Sequence, residues 1–291
     1  MKTGVCSTDF ERSPLLSPAA LFEKIKSLGF DAVQFSFTSV TGVDYEPSGL
    51  IEIPEEIPLK TVLDVYRASE KIALPVGVIN ATFNMTHPDR LVREEGLRRF
   101  AKLAEIASAI GCPILSLCTG TRNTAHLWRP SPDNGAPEAW ETMLSTVRRA
   151  AQIAEKAGVC LAVETEASNV VSTPEKARRL LDEIGSANLG MILDPANLFL
   201  PGEARPENAR SSLDRAFECF GSEILLAHGK DIRAGDGIDF CGTGLGMVDF
   251  PYLAGKLRAS GFRGAMYLHG IYDEADMPRA LSFWKKAEGT R

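Results

Sequence analysis

Hydrophobic positions along the chain alternate between two kinds of segment. Short runs rich in apolar and β-branched residues recur eight times, and each is followed by a longer segment with the helical spacing of apolar residues. The predicted strands are Thr3–Ser7, Ala32–Phe37, Pro75–Ile79, Ile114–Cys118, Val159–Glu164, Leu189–Asp194, Ile224–His228 and Ala265–His269. The predicted helices are Pro18–Leu28, Leu59–Lys71, Leu91–Gly111, Pro137–Gly158, Thr173–Ile184, Glu207–Phe220, Asp249–Gly261 and Met277–Lys286.

Several of these boundaries carry residues that begin or end helices. Ser17 and Thr173 each precede a proline, so a capping hydroxyl stands before a residue whose missing N–H costs nothing at the first helical position. A glycine at the end of a helix can adopt the left-handed conformation that terminates it. Such glycines follow four of the predicted helices, at Gly29, Gly111, Gly158 and Gly261.

Eight strand–helix units favour an α/β fold of one domain, a (β/α)8 barrel over residues 1–291. The 291 residues suit this fold, which typically needs about 250. The first strand is followed by no glycine fingerprint, which argues against an open dinucleotide-binding sheet. Barrels of this class build their sites on the loops after the strands. The long connections all follow strands, at Thr38–Pro58, Asn80–Asp89, Thr119–Ala136 and Gly229–Val248.

Composition and charge narrow the choice of partner. The formal net charge is -6 and the chain has no basic run, so a small molecule is favoured over nucleic acid, which binds mainly through phosphate contacts. No apolar run approaches the ~18 residues of a membrane span, and the N-terminus lacks an apolar signal segment. The six cysteines have no paired spacing and are expected to be reduced core residues. We therefore expect a cytoplasmic protein.

Ionisable side chains end the last four predicted strands. They are Glu164, Asp194, His228 and His269. Each alone has a simpler interpretation, as a helix cap or a hydrogen-bonded polar residue. The chain has only four histidines, however, and neighbouring strands would bring these four side chains around one small volume. A divalent metal would neutralise them, and mixed carboxylate and imidazole ligands suit Mn, Zn, Fe or Co better than an all-oxygen Mg or Ca cage.

The segments that follow these residues resemble a known family. Glu164 is followed by Thr-Glu-Ala-Ser-Asn, Asp194 by Pro-Ala-Asn, and His228 by Gly-Lys-Asp. A glycine-rich segment, Gly242–Phe250, comes after the seventh strand. In this order the segments resemble the metal-binding motifs of the xylose isomerase-like TIM barrels, the group of sugar phosphate isomerases and epimerases.

The resemblance implies one divalent metal, with Mn favoured among Mn, Zn, Co and Mg. Its implied ligands are Glu164, Asp194 and His228, and the fourth family ligand is a glutamate where this chain has His269. Asn197 stands where many relatives have histidine. In the epimerases, the glutamates of strands five and eight exchange the substrate proton. His269 is therefore expected to be either a fourth ligand or a one-sided acid/base.

The resemblance also implies a function. The chain is expected to be a metal-dependent isomerase or epimerase of a sugar, keto-sugar or related polyol, acting through an enediolate, with Glu164 as both ligand and base. The alternatives are a metal-dependent lyase or dehydratase, which needs only one strong base, and a non-catalytic sugar-binding barrel. An endonuclease of the same fold is disfavoured because the chain lacks a basic face and has few histidines. Barrels of this type commonly pair, so a homodimer is possible.

Other polar residues are candidates for the mouth of the barrel. Glu166 is either a second general base or a solvated loop residue, and Lys230 either stabilises the enediolate or pairs with Asp231. In the fourth strand–helix loop, arginines can bind phosphate or carboxylate, or one can pair with Asp133, and a tryptophan can stack on a sugar. The predicted substrate-binding residues are His87, Arg122, His126, Trp128, Arg129 and Asn197.

Overall fold

The predicted strands close into a barrel in the computed structural model, which describes residues 1–11, 14–41 and 49–290. Each barrel strand pairs in parallel with the next, and the eighth closes onto the first with Val5 opposite Leu268. The barrel strands are β1 (Thr3–Cys6), β2 (Ala32–Phe35), β3 (Val76–Asn80), β4 (Ile114–Cys118), β5 (Cys160–Glu164), β6 (Leu189–Leu193), β7 (Ile224–His228) and β8 (Met266–Leu268).

Helices follow the strands and form the outer layer. They are α1 (Pro18–Ser27), α2 (Thr38–Thr41), α3 (Leu59–Ile72), α4 (Arg90–Ala109), α5 (Pro137–Ala157), α6 (Pro174–Ile184), α7 (Ala209–Phe220), α8 (Phe250–Ala259) and α9 (Met277–Gly289). Their buried apolar faces pack against the barrel in one large core. Among the helices described, none is long and apolar enough to cross a membrane.

The predicted (β/α)8 barrel of one domain is confirmed, and the element ends differ mostly by one or two residues. Asp194 and His269 lie just beyond β6 and β8 and not inside them. Two short elements within long loops were not predicted, α2 and an antiparallel pair formed by Asp231–Ile232 and Phe240–Cys241. These segments are too short to show a hydrophobic period. Part of the predicted loop Thr38–Pro58, residues 42–48, lies outside the described residues.

The predicted helix ends have the expected local geometry. The Ser17 hydroxyl accepts a hydrogen bond from the Ala20 amide, and the Thr173 hydroxyl accepts one from the Lys176 amide. The four glycines that follow helices have φ between 73° and 93°. These caps fix where each helix starts and stops, and therefore where each following strand enters the barrel.

Tyr267 fills the lower part of the barrel interior, away from the mouth. Its ring is buried among small and branched side chains from the surrounding strands, in a cluster separate from the large outer core. Gly4 on β1 and Gly77 on β3 lie against this ring, and a Cβ at either position would collide with it. The glycines are therefore required by the packing of one large aromatic residue inside the barrel.

Replacing Gly4 by alanine should destabilise the fold. The added Cβ would meet the Tyr267 ring and lie 2.8 Å from the Ala32 carbonyl oxygen, so we expect a loss of about 1–3 kcal/mol in the free energy of unfolding. Urea unfolding followed by circular dichroism measures this. Gly255→Ala on α8 is the control, because its Cβ meets nothing within 4 Å and should stabilise the helix by up to about 1 kcal/mol. Equal stability of the two variants would refute the packing argument.

Candidate metal centre and cavity

The carboxyl ends of the strands surround a cavity of about 340 Å³ at the mouth of the barrel. Its lining is mostly polar, and residues from both halves of the barrel contribute to it. Carboxylates, two imidazoles and a lysine enter from the later strands, whereas Gln34, Asn80 and Ser116 enter from β2, β3 and β4. Parallel strands deliver all these side chains to one face.

Three of the four strand-end residues form one buried group. His228 Nδ1 lies 3.0 Å from Glu164 Oε1 and 3.4 Å from Asp194 Oδ2, and the potential ligand atoms of the three all lie within 4.8 Å of one another. Ligand atoms bound about 2.1 Å from one ion are separated by about 3.0–3.4 Å at right-angled to tetrahedral angles. The group therefore has the spacing and the chemistry to hold a divalent metal.

Asp194 is the most deeply buried member of the group. Its Oδ1 accepts a hydrogen bond from the Ala196 amide at 2.9 Å, which anchors the carboxylate to the turn after β6. Its Oδ2 is buried without a hydrogen bond and instead lies 3.1 Å from the Lys230 ammonium nitrogen. Burial alone would raise the pKa of this carboxyl, but Lys230 and His228 together hold it well below its usual range. A buried oxygen of this kind, facing positive charge, is a suitable metal ligand.

A chain of hydrogen bonds across the opposite strands fixes the His228 ring. The Nε2 atom of His228 lies 2.9 Å from Gln34 Oε1, and Gln34 donates in turn to Asn80 Oδ1 at 2.8 Å. Ser116 donates to the same Asn80 oxygen at 3.1 Å. The hydrogen bond from Nε2 to Gln34 fixes the orientation of the ring. The other ring nitrogen, Nδ1, then faces the two carboxylates. This chain of hydrogen bonds was not predicted, although three polar residues inside otherwise apolar strands were a signal for it.

Asn197 connects Glu164 to Lys230. The Asn197 amide donates to Glu164 Oε1 at 3.0 Å and accepts from the Lys230 ammonium at 3.1 Å. Cys118 contacts the other Glu164 oxygen at 3.6 Å. The Lys230 ammonium also lies 4.2 Å from the centre of the Phe240 ring. Asn197 and Lys230 both line the cavity, so the loops after β6 and β7 hold one continuous polar network.

The proposed pairing of Lys230 with Asp231 is wrong, since Lys230 pairs with Asp194. Asp231 instead accepts backbone hydrogen bonds from the glycine-rich segment, at 3.0 Å from Gly244, 2.8 Å from Gly246 and 3.0 Å from Val248. Burial raises the pKa of Asp231 although these amides favour its ionised form. Its role in the structure is to fold the loop after β7 over the barrel.

Glu166 is a buried residue of the cavity wall, which contradicts its interpretation as a solvated loop residue. Its Oε2 accepts hydrogen bonds from the Ser168 amide at 2.9 Å, from the Ser168 hydroxyl and from the Asn169 side chain at 3.0 Å. Burial raises the pKa of Glu166 despite these donors. A raised pKa makes the carboxylate a stronger base for proton transfer.

His269 is not a member of the three-residue group, although the centre of its ring lies 5.4 Å from that of His228. It follows β8 and lines the same cavity, but its Nδ1 lies 3.1 Å from Asp9 Oδ1. The other Asp9 oxygen accepts the Ile271 amide at 3.0 Å. The geometry therefore engages this imidazole with a carboxylate from the turn after β1, and its role as a fourth ligand remains a prediction. Asp9 was not a candidate from sequence; an acidic residue directly after the first strand was the available signal.

Two of the predicted substrate-binding residues, Trp128 and Asn197, line the cavity. The Trp128 indole donates to Glu52 Oε1 at 2.8 Å, and Glu52, which the sequence analysis missed, lines the cavity beside it. The other four predicted residues are not part of the lining within the described chain: His87, Arg122, His126 and Arg129.

Local contacts explain where three of those four side chains go. His87 Nδ1 accepts a hydrogen bond from the Asp89 amide, and His126 Nδ1 accepts one from the Trp128 amide, so both rings stabilise their own loops. Arg122 reaches the Thr86 carbonyl at 3.5 Å and forms no ion pair with Asp133. Arg129 is exposed. Substrate contacts by these residues remain predictions.

Comparison with known proteins gives a family and a fold. Residues 22–287 match the family described as xylose isomerase-like TIM barrel. A D-tagatose 3-epimerase-like protein is 20% identical with a TM-score of 0.74, covering 99% of this chain and 97% of its own. The probable 3-DHS dehydratase AsbF of Bacillus anthracis is 15% identical with a TM-score of 0.73, covering 100% of both chains. The 3-keto-D-glucoside 4-epimerase YcjR of E. coli is 16% identical with a TM-score of 0.71, covering 98% and 99%.

These structural likenesses, all at low identity, show a common fold. No curated protein matches the chain by sequence. The match to the family covers nearly the whole barrel and includes all three residues of the buried group. The chain belongs to the xylose isomerase-like TIM barrel family.

Proposed function

We propose that the protein is a metal-dependent epimerase or isomerase of an uncharged sugar. The observation that carries the proposal is the buried group of Glu164, Asp194 and His228, which opens into a cavity that also holds Glu166. Several proteins of similar structure are sugar epimerases by name. A metal site beside a carboxyl with a raised pKa is a suitable arrangement for moving a proton next to a carbonyl group.

The three residues of the group would hold the ion. A divalent metal there would supply positive charge that stabilises negative charge developing on substrate oxygens. Mixed carboxylate and imidazole ligands suit Mn, Zn or Co, and we propose Mn. The Oδ2 atom of Asp194 supports this reading, because it is buried, makes no hydrogen bond and lies 3.4 Å from His228 Nδ1, a spacing at which both atoms could bind one ion.

Residues of the cavity wall would carry the proton chemistry. A carboxylate, Glu164 or Glu166, takes the proton from the carbon beside the substrate carbonyl, and the C–H electrons form the double bond of an enediolate. Lys230 keeps a positive charge beside the developing oxyanion, because Asp194 and Glu164 raise its pKa although burial opposes the charge. Return of a proton to the opposite face gives the epimer, and return to the neighbouring carbon gives the isomer.

The charge of the lining favours a substrate without phosphate. Four carboxylates line the cavity, from Asp9, Glu52, Glu164 and Glu166, whereas its basic groups within the described residues are Lys230 and the rings of His228 and His269. A substrate phosphate about 4 Å from one such carboxylate would be repelled by roughly 1–4 kcal/mol. Hydroxyl groups can instead donate hydrogen bonds to these carboxylates.

A dehydratase is the second candidate. Its supporting observation is His269, which occupies the position at the end of β8 and is held by a carboxylate. Elimination of water needs one base for the C–H proton and one acid for the departing hydroxyl, and a glutamate with a histidine can supply both. The probable 3-DHS dehydratase, similar in structure to this chain, agrees with this alternative. Product analysis separates the two, because a dehydratase releases an unsaturated product.

The manganese-loaded protein should exchange substrate protons with solvent. We expect deuterium incorporation from heavy water into D-psicose, D-tagatose or D-fructose by NMR, and a lower rate with D-fructose 6-phosphate. Glu166→Gln should reduce turnover by about 10²–10⁴-fold, since it removes an acid/base group. Glu155→Gln on the exposed face of α5 is the control and should retain full activity. Sugar binding without exchange would favour a non-catalytic barrel.

Metal content gives a second, independent test. We expect about one divalent ion per chain after loading with Mn²⁺. Asp194→Asn should lose it, since the amide removes the charge of the most buried ligand. Elemental analysis after gel filtration measures the content. The exposed Asp182→Asn variant on α6 should bind metal normally. Full metal content in Asp194→Asn would contradict the ligand assignment.

Metal affinity should increase with pH. In the metal-free protein burial opposes a charged His228 ring, but Glu164 and Asp194 outweigh it and raise its pKa to about 9. The ring is therefore protonated at neutral pH and must lose a proton to become a ligand. The Kd for Mn²⁺ should fall by about tenfold per pH unit up to about 9 and then level. Calorimetric titration in buffers of different ionisation enthalpy counts the released protons, and release of none would refute this.

A further inference from the structure

Asn80 is a residue of the cavity wall whose side chain is bound from one side only. It ends β3, is half-buried and lines the cavity. Its Oδ1 accepts hydrogen bonds from Gln34 Nε2 at 2.8 Å and from the Ser116 hydroxyl at 3.1 Å, which occupies both lone pairs. Its Nδ2 has no acceptor among the described residues, and protein atoms do not enclose it. The two N–H groups of Asn80 are therefore open to the cavity.

A chain of hydrogen bonds from His228 fixes which end of the Asn80 amide faces the cavity. A metal ion or a proton on His228 Nδ1 leaves a ring hydrogen on Nε2, which donates to Gln34 Oε1 over 2.9 Å. Gln34 then turns its NH2 group toward Asn80, and Asn80 can receive it only with its oxygen. The opposite orientation would require the only ring hydrogen to lie on Nδ1, at the position of the metal. The site itself thus directs the Asn80 donors into the cavity.

The other side chains of the cavity give this pair of donors a distinct role. Four of them are carboxylates, which only accept hydrogen bonds when they are ionised. The Lys230 ammonium lies 3.1 Å from Asp194 Oδ2, and the Trp128 indole donates to Glu52. Asn80 thus supplies an uncharged donor that no acceptor within the described residues uses. Such a donor suits an oxygen with a lone pair, which is the hydroxyl or carbonyl oxygen of a sugar.

Asn80 stands across the barrel from the metal group. It ends β3 and His228 ends β7, and in a closed barrel of eight strands these two strands lie diametrically opposite. A sugar whose reacting carbons lie beside the metal group would extend its other end toward Asn80, since Asn80 and His228 line one cavity. A contact with that remote end is made in both the ground state and the transition state, so it strengthens binding more than it accelerates the reaction.

We propose that Asn80 is a specificity-determining residue that donates a hydrogen bond to a sugar oxygen remote from the reacting carbons. This inference rests on the proposed function. No covalent bond changes at Asn80, and the contact selects sugars that carry an oxygen at this place over sugars that carry hydrogen there. A sugar without that oxygen would cover the donor and leave it unpaired, and this penalty is the source of the selection.

The first test observes the Asn80 side chain directly by NMR. In the Zn²⁺-loaded protein with ¹⁵N-labelled asparagine, the Asn80 NH2 signals are those missing from the Asn80→Asp variant. Adding D-psicose, D-tagatose or D-fructose should shift these signals and slow their exchange with water. The signals of Asn188, which stands before β6 and outside the cavity lining, should stay unchanged. A sugar that binds without changing the Asn80 signals would overturn the proposal.

The second test removes the donor and keeps the acceptor. Asn80→Asp retains the oxygen to which Gln34 and Ser116 donate, so the chain to His228 stays intact. In the Mn²⁺-loaded protein this variant should raise KM about tenfold and change kcat by less than about threefold, since it removes a contact made in both states. Asn80→Ala, which adds no charge, should raise KM to a similar degree, and a rise in the aspartate variant alone would contradict the proposal. Asn188→Asp is the matched control and should behave as the wild type.

Sugars that lack one hydroxyl group identify the oxygen that Asn80 contacts. D-fructose is compared with its 4-deoxy, 5-deoxy and 6-deoxy analogues. With the wild type, one analogue should lose about tenfold in kcat/KM. The same analogue should lose nothing further with Asn80→Asp, because the two changes remove one interaction. Losses that add independently for all three analogues would contradict the assignment.

The outcomes separate this inference from the function on which it rests. A wild-type protein that neither binds nor converts any of the three sugars would overturn the proposed function, and this inference with it. An active wild type whose Asn80 variants keep its KM and its preference among the deoxy sugars would overturn only the role of Asn80. Elemental analysis should find full metal content in Asn80→Asp. Loss of the metal would mean that Asn80 acts through His228, and it would refute a direct contact with the sugar.

Discussion

The burial of Asp194 is the constraint on which the arrangement of the site depends. An ionised carboxylate without solvent access needs compensating charge, and here the compensation comes from Lys230 and His228. These two cations belong to β7 and the residues directly after it, so the pairing ties β6 to β7 at the mouth of the barrel. Asn197 then links Lys230 to Glu164 at the end of β5. One buried negative charge thus organises three consecutive strands.

The same constraint explains why the site suits a metal ion and yet is balanced without one. The metal-free group is held by a protonated imidazole and an ammonium that share the charge of two carboxylates. A divalent ion would replace the imidazolium proton and leave Lys230 beside it. The chain from His228 through Gln34 and Asn80 does not depend on that exchange, because it involves the other ring nitrogen. The ring is therefore oriented before any ion arrives, which lowers the cost of ordering it on binding.

The sequence analysis predicted most of the fold and the centre of the candidate site, since both depend on regular patterns. Eight apolar runs fixed the strands, and the ionisable residues that end β5 to β7 identified the buried group. Contacts between distant loops leave no periodic pattern of residues in the sequence. Glu52, which accepts the Trp128 indole, lies 76 residues away from it in the chain.

For a related reason, the sequence does not show which loop residues of substrate-binding types reach the cavity. His87 and His126 are the types of residue that bind substrates, but each accepts a backbone amide two residues further along. Such local contacts stabilise a turn and are indistinguishable in sequence from residues that face a ligand.

At the end of β8, a residue of another element determines the setting of the side chain. The family resemblance implies a glutamate at this position, where the chain has His269, and the substitution alone would remove one negative charge from the mouth. Asp9 places a carboxylate from the turn after β1 beside this imidazole, 3.1 Å from its Nδ1, and is not a member of the buried group of Glu164, Asp194 and His228. The group presented to a bound molecule at this position is therefore an imidazole held by a carboxylate, where the resemblance implies a carboxylate alone. That arrangement depends on closure of the barrel, because only the pairing of β8 with β1 brings residues 9 and 269 together.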